Sequence, residues 1–115
     1  MSVERKWAFR IEHILEAIAK IQRYTQGMTA ESFAADERTV DAVIRNFQVI
    51  GEAARHVPRD IQSRYQDIPW SLIQGMRHVL VHDYDAVKWE VVWRTIQEKL
   101  PPLIAPLRNV LKEHS

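Results

Sequence analysis

From Trp7 onward the apolar residues of this chain return every three or four positions, a period that admits helices and little else. Trp7, Ile11, Ile14, Leu15, Ile18 and Ile21 form one stripe with charges between them, and Gly27 closes the run. A long amphipathic helix is therefore expected from about Glu4 to Gln26. A second stripe of Val40, Val43, Ile44, Phe47, Ile50 and Ala54 spans about Asp36 to Val57 and stops at Pro58, while Arg45, Gln48, Glu52 and Arg55 line another face. The segment "RDIQSRYQD" suits a single turn or short helix. Asp67 as a cap and Pro69 near the first turn open a third helix through "WSLIQGMRHVLVH". A fourth, capped by Asp85, runs from about Ala86 through Trp89, Val92, Trp93, Ile96 and Leu100. Pro101 and Pro102 must break or kink it, because proline lacks the N–H donor and clashes with the preceding turn. The remainder, "LIAPLRNVLKEHS", reads as a shorter helix disturbed by Pro106.

No segment alternates apolar and polar residues as a half-buried strand would. The stripes can leave water only against one another, so the expected fold is all-α: an up-and-down bundle of four main helices plus a short C-terminal helix, in one domain over residues 1–115. Gly51 and Gly75, inside the second and third helices, are either flexible points costing about 1 kcal/mol each or places of close helix approach. Trp89 and Trp93, four apart, are expected to pack in the core or at a dimer contact. His13 and His114 are expected to face solvent, and His56 to sit at a helix C-terminus, where it suits the dipole.

The absence of cysteine excludes disulfides, thiolate metal sites and cysteine nucleophiles. Sixteen basic and fifteen acidic residues leave a net charge of +1, so any nucleic-acid binding must be local and not a product of the whole molecule's field. The charged start "MSVERKWAFRIEH" has no apolar core of a signal sequence, and no window approaches the ~18 apolar residues of a membrane span; a cytoplasmic location without membrane contact is expected.

Chemistry concentrates in "MRHVLVHDY", residues 76–84, which holds Arg77, His78, His82, Asp83 and Tyr84. Arginine offers phosphate a planar fork of donors, and histidine titrates near neutrality and can move a proton to or from an oxygen. RNA supplies its own nucleophile, the 2′-OH, so no metal is obligatory, and none is expected on the reading that the chain holds no H-x-x-x-H, H-E-x-x-H or carboxylate cluster at ligand spacing. By residue type alone, however, an arginine and a histidine at a helix end more often balance the dipole, with Tyr84 a core ring. On an unbroken helix, moreover, Arg77 and His82 lie about 140° apart. They meet only if the chain turns back near His82, which Asp83 and Asp85 favour, or if a second copy completes the site.

The ordered pattern Arg77, four residues, His82, one residue, Tyr84 resembles the signature of HEPN domains, and among them the HepT-like toxins of toxin–antitoxin pairs. "AVIRNFQVIGEAA" (42–54), "IPWSLIQGMRHVLVHDYD" (68–85) and "EVVWRTIQEKLPPL" (90–103) are similar to that group's blocks, in order and over essentially the whole chain. The resemblance implies a homodimeric α-helical bundle that cleaves RNA without metal or other cofactor. Arg77 would hold the scissile phosphate and His82 would transfer the proton. Tyr84 matches the tyrosine that a partner antitoxin, a minimal nucleotidyltransferase called MntA, modifies with AMP. Asn46 and Glu52, in the second-helix block, would orient Arg77, with a plain surface role for Glu52 equally open. His78 stands where the family often has asparagine, which leaves open which histidine carries the proton. A rival reading makes the chain a non-catalytic HEPN subunit that binds nucleotide or docks the transferase.

Overall fold

The computed structural model describes residues 6–82 and 89–115, with backbone alone at 79–82. Among the described residues there are seven α-helices, one π turn and no strand. They are α1 (Ala8–Thr25), α2 (Ala30–Ala35), α3 (Glu37–Arg55), α4 (Arg59–Arg64), α5 (Trp70–His82), α6 (Trp89–Arg94), a π turn (Thr95–Lys99) and α7 (Pro101–Glu113). The fold is all-α as expected, in a body of 46 × 27 × 22 Å, and no described helix is long and apolar enough to cross a membrane.

The centre is the packing of α1 and α5 against α3. The expected stripes are the core: Ile11, Ile14, Ile18 and Ile21 of α1 meet Val43, Phe47 and Ile50 of α3, all shielded from water. Each such side chain contributes roughly 1.5–3 kcal/mol. Gly27, the one described residue with positive φ (+78°), takes the left-handed position that ends α1. The buried Thr25 satisfies its hydroxyl on the Ile21 carbonyl at 2.8 Å.

Asp36 caps α3, its Oδ1 accepting from the Thr39 amide at 3.1 Å, and that bond holds its carboxyl below the ordinary value. His56 closes α3 as expected.

Several expectations are corrected. Lys6 and Trp7 form a turn and α1 runs from Ala8, while the expected start near Glu4 lies outside the described residues. The short α2 was not foreseen: Thr29 and Ser32 cap it reciprocally (3.1 and 2.9 Å), and Phe33 alone is buried from it. Asp67 makes no described bond to α5; the Pro69 carbonyl accepts the first helical bond, from the Ile73 amide at 3.0 Å, which puts Pro69 at the cap itself. The proposed Asp85 cap lies outside the described residues, so α6 is followed from Trp89 only.

Pro101 and Pro102 interrupt the helix as expected: one element ends at Lys99, Leu100 is a bend, and a new helix starts at Pro101. The backbone widens into the π turn ahead of them, with Leu100 N–H donating to the Thr95 carbonyl at 3.0 Å, and both prolines become the first turn of α7. Two residues without N–H leave the carbonyls of Gln97 and Glu98 with no α-helical donor, so slipping the ladder by one residue there forfeits little. The last helix is not short: its thirteen residues continue past Pro106 and equal α5 in length.

Candidate functional site

The site begins with a missing side chain. A Cβ at Gly51 would lie 2.7 Å from both the Cβ and the backbone N of Arg77, and 3.0 Å from the Gln74 carbonyl oxygen. Gly51 thus lets α3 and α5 touch backbone to backbone at the residue that carries the guanidinium, which decides its open reading in favour of close approach. Gly75 has nothing within 4 Å of its would-be Cβ and serves no such contact.

The residue after Gly51 uses this proximity. Glu52 Oε2 accepts a hydrogen bond from Arg77 Nη1, forming an ion pair between side chains that are 47% and 30% exposed. At such exposure the pair adds about 0–1 kcal/mol at most, so its consequence is position. The other carboxylate oxygen, Oε1, lies 3.6 Å from Arg55 Nη1 and 3.8 Å from His56 Nδ1. His56 Nδ1 also stands 2.9 Å from the Glu52 carbonyl, which can only accept, so that nitrogen carries the hydrogen. Among the described residues Glu52 is the one side-chain partner of Arg77, and it engages Nη1; a guanidinium carries further donors in the same planar fork.

Asn46 is buried and donates its amide back to the Ala42 carbonyl at 2.8 Å, with no described bond to Arg77. His78 is exposed on the same helix as Arg77. The backbone of α5 continues unbroken to His82, so Arg77 and His82 leave its axis about 140° apart. The imidazole of His82, and Asp83 and Tyr84 entirely, lie outside the described residues. The structure therefore brings together Arg77 and Glu52, with Arg55 and His56 behind the carboxylate. The last two were not singled out as site residues, although both follow Glu52 by one helical turn.

The expected absence of an H-x-x-x-H spacing is corrected by residues 78–82 themselves, His-Val-Leu-Val-His. His78 and His82 are four apart on one helix, where two imidazoles can share a divalent ion. Among the described residues no group of three or more histidine or carboxylate ligands gathers.

Two further expectations are resolved nearby. Trp89 and Trp93 are half-buried and pack on the buried Phe33 ring at the edge of the core, at 6.3 and 5.4 Å between centroids. His114 does not simply face solvent: its Nε2 is 3.0 Å from the Tyr65 hydroxyl, and its ring stands edge-on to Trp7 at 5.1 Å.

Residues 14–110 match the family model described as Ribonuclease HepT-like. A probable ribonuclease HepT of Thermococcus cleftensis is 39% identical over 102 residues, covering 89% of this chain and 93% of the relative. A presumed RNase of Caldanaerobacter subterraneus subsp. tengcongensis is 30% identical over 103 residues, covering 90% of this chain and 92% of the relative. Another, of Methanocaldococcus jannaschii, is 34% identical over 100 residues, covering 87% and 83%. No solved structure matches the chain.

Proposed function

Since the chain belongs to the HepT-like ribonuclease family, we propose that it is an endoribonuclease whose phosphate-binding group is Arg77. The observation that carries this reading is the guanidinium held by Glu52 at the Gly51 contact. Arg77 binds the scissile phosphodiester and strengthens its bonds as charge builds on the phosphoryl oxygens. His82 accepts the proton of the 2′-OH as that oxygen attacks phosphorus. The bond from phosphorus to the 5′-oxygen breaks, and the leaving oxygen takes a proton. Two copies of the chain pair so that the motif of each faces a shared cleft, which answers the 140° between the two positions on the α5 backbone.

The reading extends to control. A MntA-type nucleotidyltransferase antitoxin places AMP on Tyr84, and the adenylyl phosphate then competes for Arg77. Co-expression with a nucleotidyltransferase of that type, followed by mass analysis of the peptide bearing Tyr84, reads this directly. An unmodified peptide beside an active transferase removes this part of the proposal.

The cleavage test uses the purified full chain, a short RNA and a chelator. Cleavage persists in chelator, fails on a 2′-deoxy substrate, and drops about 10²–10³-fold in Arg77→Ala and about 10²–10⁴-fold in His82→Ala. Glu52→Gln, which keeps an acceptor but removes the charge, costs less than Arg77→Ala. A wild-type protein as inert as its variants favours the non-catalytic docking subunit instead.

A further inference from the structure

A groove of about 290 Å³ runs between α1 and α3 and reaches Glu52. Its α1 wall carries Arg10 and His13, and its α3 wall carries Arg45, Gln48 and Glu52. Glu52 is the only acidic lining residue, and its charge is already shared among Arg77, Arg55 and His56. The groove and its end thus set four guanidinium groups against one carboxylate, in a molecule whose total charge is only +1. That imbalance comes from placement and not from composition.

Planar groups accompany the charge. Phe9, 43% exposed, has the Arg10 guanidinium 4.5 Å from its ring centroid and the His13 ring edge-on at 5.4 Å. Phosphate donors beside an exposed aromatic ring are what a single nucleic-acid strand needs: charge for the backbone and a face for a base. Arg45 precedes Glu52 by seven residues, about 10 Å along α3. That is about three stacked nucleotides at about 3.4 Å each.

We propose that this groove is a subsite for single-stranded RNA, in which Arg45 holds a phosphate about three nucleotides from the bond at Arg77, Arg10 on the facing wall holds another, and Phe9 beside the groove stacks a base. The inference rests on the ribonuclease reading above and adds the path of the strand.

The test is fluorescence anisotropy with a labelled 2′-O-methyl decauridylate, which cannot be cleaved because its nucleophile is capped. Arg10→Gln/Arg45→Gln is compared with Arg38→Gln/Arg59→Gln, which removes the same charge from exposed sites outside the groove. Circular dichroism confirms that both fold. Loss of two phosphate contacts lowers the slope of log K against log salt by about 1.4 and weakens binding about 25-fold at about 0.1 M salt. Phe9→Ala loses about fivefold or more. Equal effects of the two double variants, or no binding by the wild type, overturn the subsite. Cleavage of the all-ribose oligonucleotide is read in parallel. Wild-type cleavage with binding indifferent to Arg10 and Arg45 overturns the groove alone, whereas groove-dependent binding without cleavage overturns the ribonuclease reading alone.

Discussion

Between α3 and α5 the helices touch backbone to backbone because Gly51 has no side chain, whereas between α6 and α7 a π turn widens the backbone ahead of two prolines, which start a new helix. Both regions are shaped by something an amino acid lacks, a Cβ in one and an N–H in the other. The first lack fixes a position sharply, since any added atom meets Arg77 at 2.7 Å. The second is absorbed over the five residues Thr95–Lys99, and the buried stripe of Val92, Ile96, Leu100, Leu103, Leu107 and Val110 passes through without interruption. The group proposed to bind phosphate, Arg77, stands at the unyielding contact.

The largest effect that sharpens this contrast comes from the forgiving side. Phe33 is fully buried between α2 and the two tryptophans of α6, so Phe33→Ala leaves a cavity costing about 3–5 kcal/mol in urea denaturation. Cleavage per folded molecule stays near the wild-type value, because the Arg77–Glu52 pair is elsewhere. A loss under about 1 kcal/mol would mean that this cluster is loosely packed. Gly51→Ala is expected to cost about 1–3 kcal/mol by overpacking, offset in part by about 1 kcal/mol of helix propensity, and to abolish cleavage even where the protein remains folded. Gly75→Ala changes sign: with open space around it, stability rises by up to about 1 kcal/mol. If the two glycine variants behave alike, the contrast between a fixed seam and an open position fails.

The bundle was legible because burial repeats with the helical period: Ile11, Ile14, Ile18 and Ile21 declare α1 without knowledge of any partner. Capping side chains were less reliable, since a carboxylate such as Asp67 marks a start only if the backbone brings an orphan amide to it. The α2 helix escaped because one buried residue in six, Phe33, makes no stripe. Prolines 101 and 102 did mark a boundary, but the π turn ahead of them was not legible, because proline forbids a particular hydrogen bond without saying how the preceding turn rearranges. At the site, residue types pointed to Arg77, and a supporting role for Glu52 followed from family likeness. Their pairing spans 25 residues, and no local spacing encodes it. Gly51 was the one clue, and by itself it fitted a flexible point equally well.

The smallest effect tests a bond that ties the two regions together. The Tyr65 hydroxyl donates to Glu113 Oε1 at 2.6 Å; its single hydrogen is thereby used, so His114 Nε2, 3.0 Å away, donates to the same oxygen. The Tyr65 carbonyl accepts from Trp70 Nε1 at 3.0 Å, which joins the start of α5 to the end of α7. The hydrogen bond from Tyr65 holds the Glu113 carboxyl below its ordinary value, and the same bond pushes the Tyr65 phenol above its own. A depressed carboxyl stabilises the fold above its unfolded value and loses that contribution as pH falls through the folded one. A raised phenol does so below its unfolded value and loses it as pH rises through the folded one. The latch therefore acts between the ordinary carboxylate and phenol ranges. Tyr65→Phe lowers Tm slightly at pH 7, and its difference from wild type closes as Glu113 protonates in acid. A difference that stays constant from pH 3 to pH 8 would place the effect in ring packing and not in the bond, leaving the seam and the α7 end coupled only through the core.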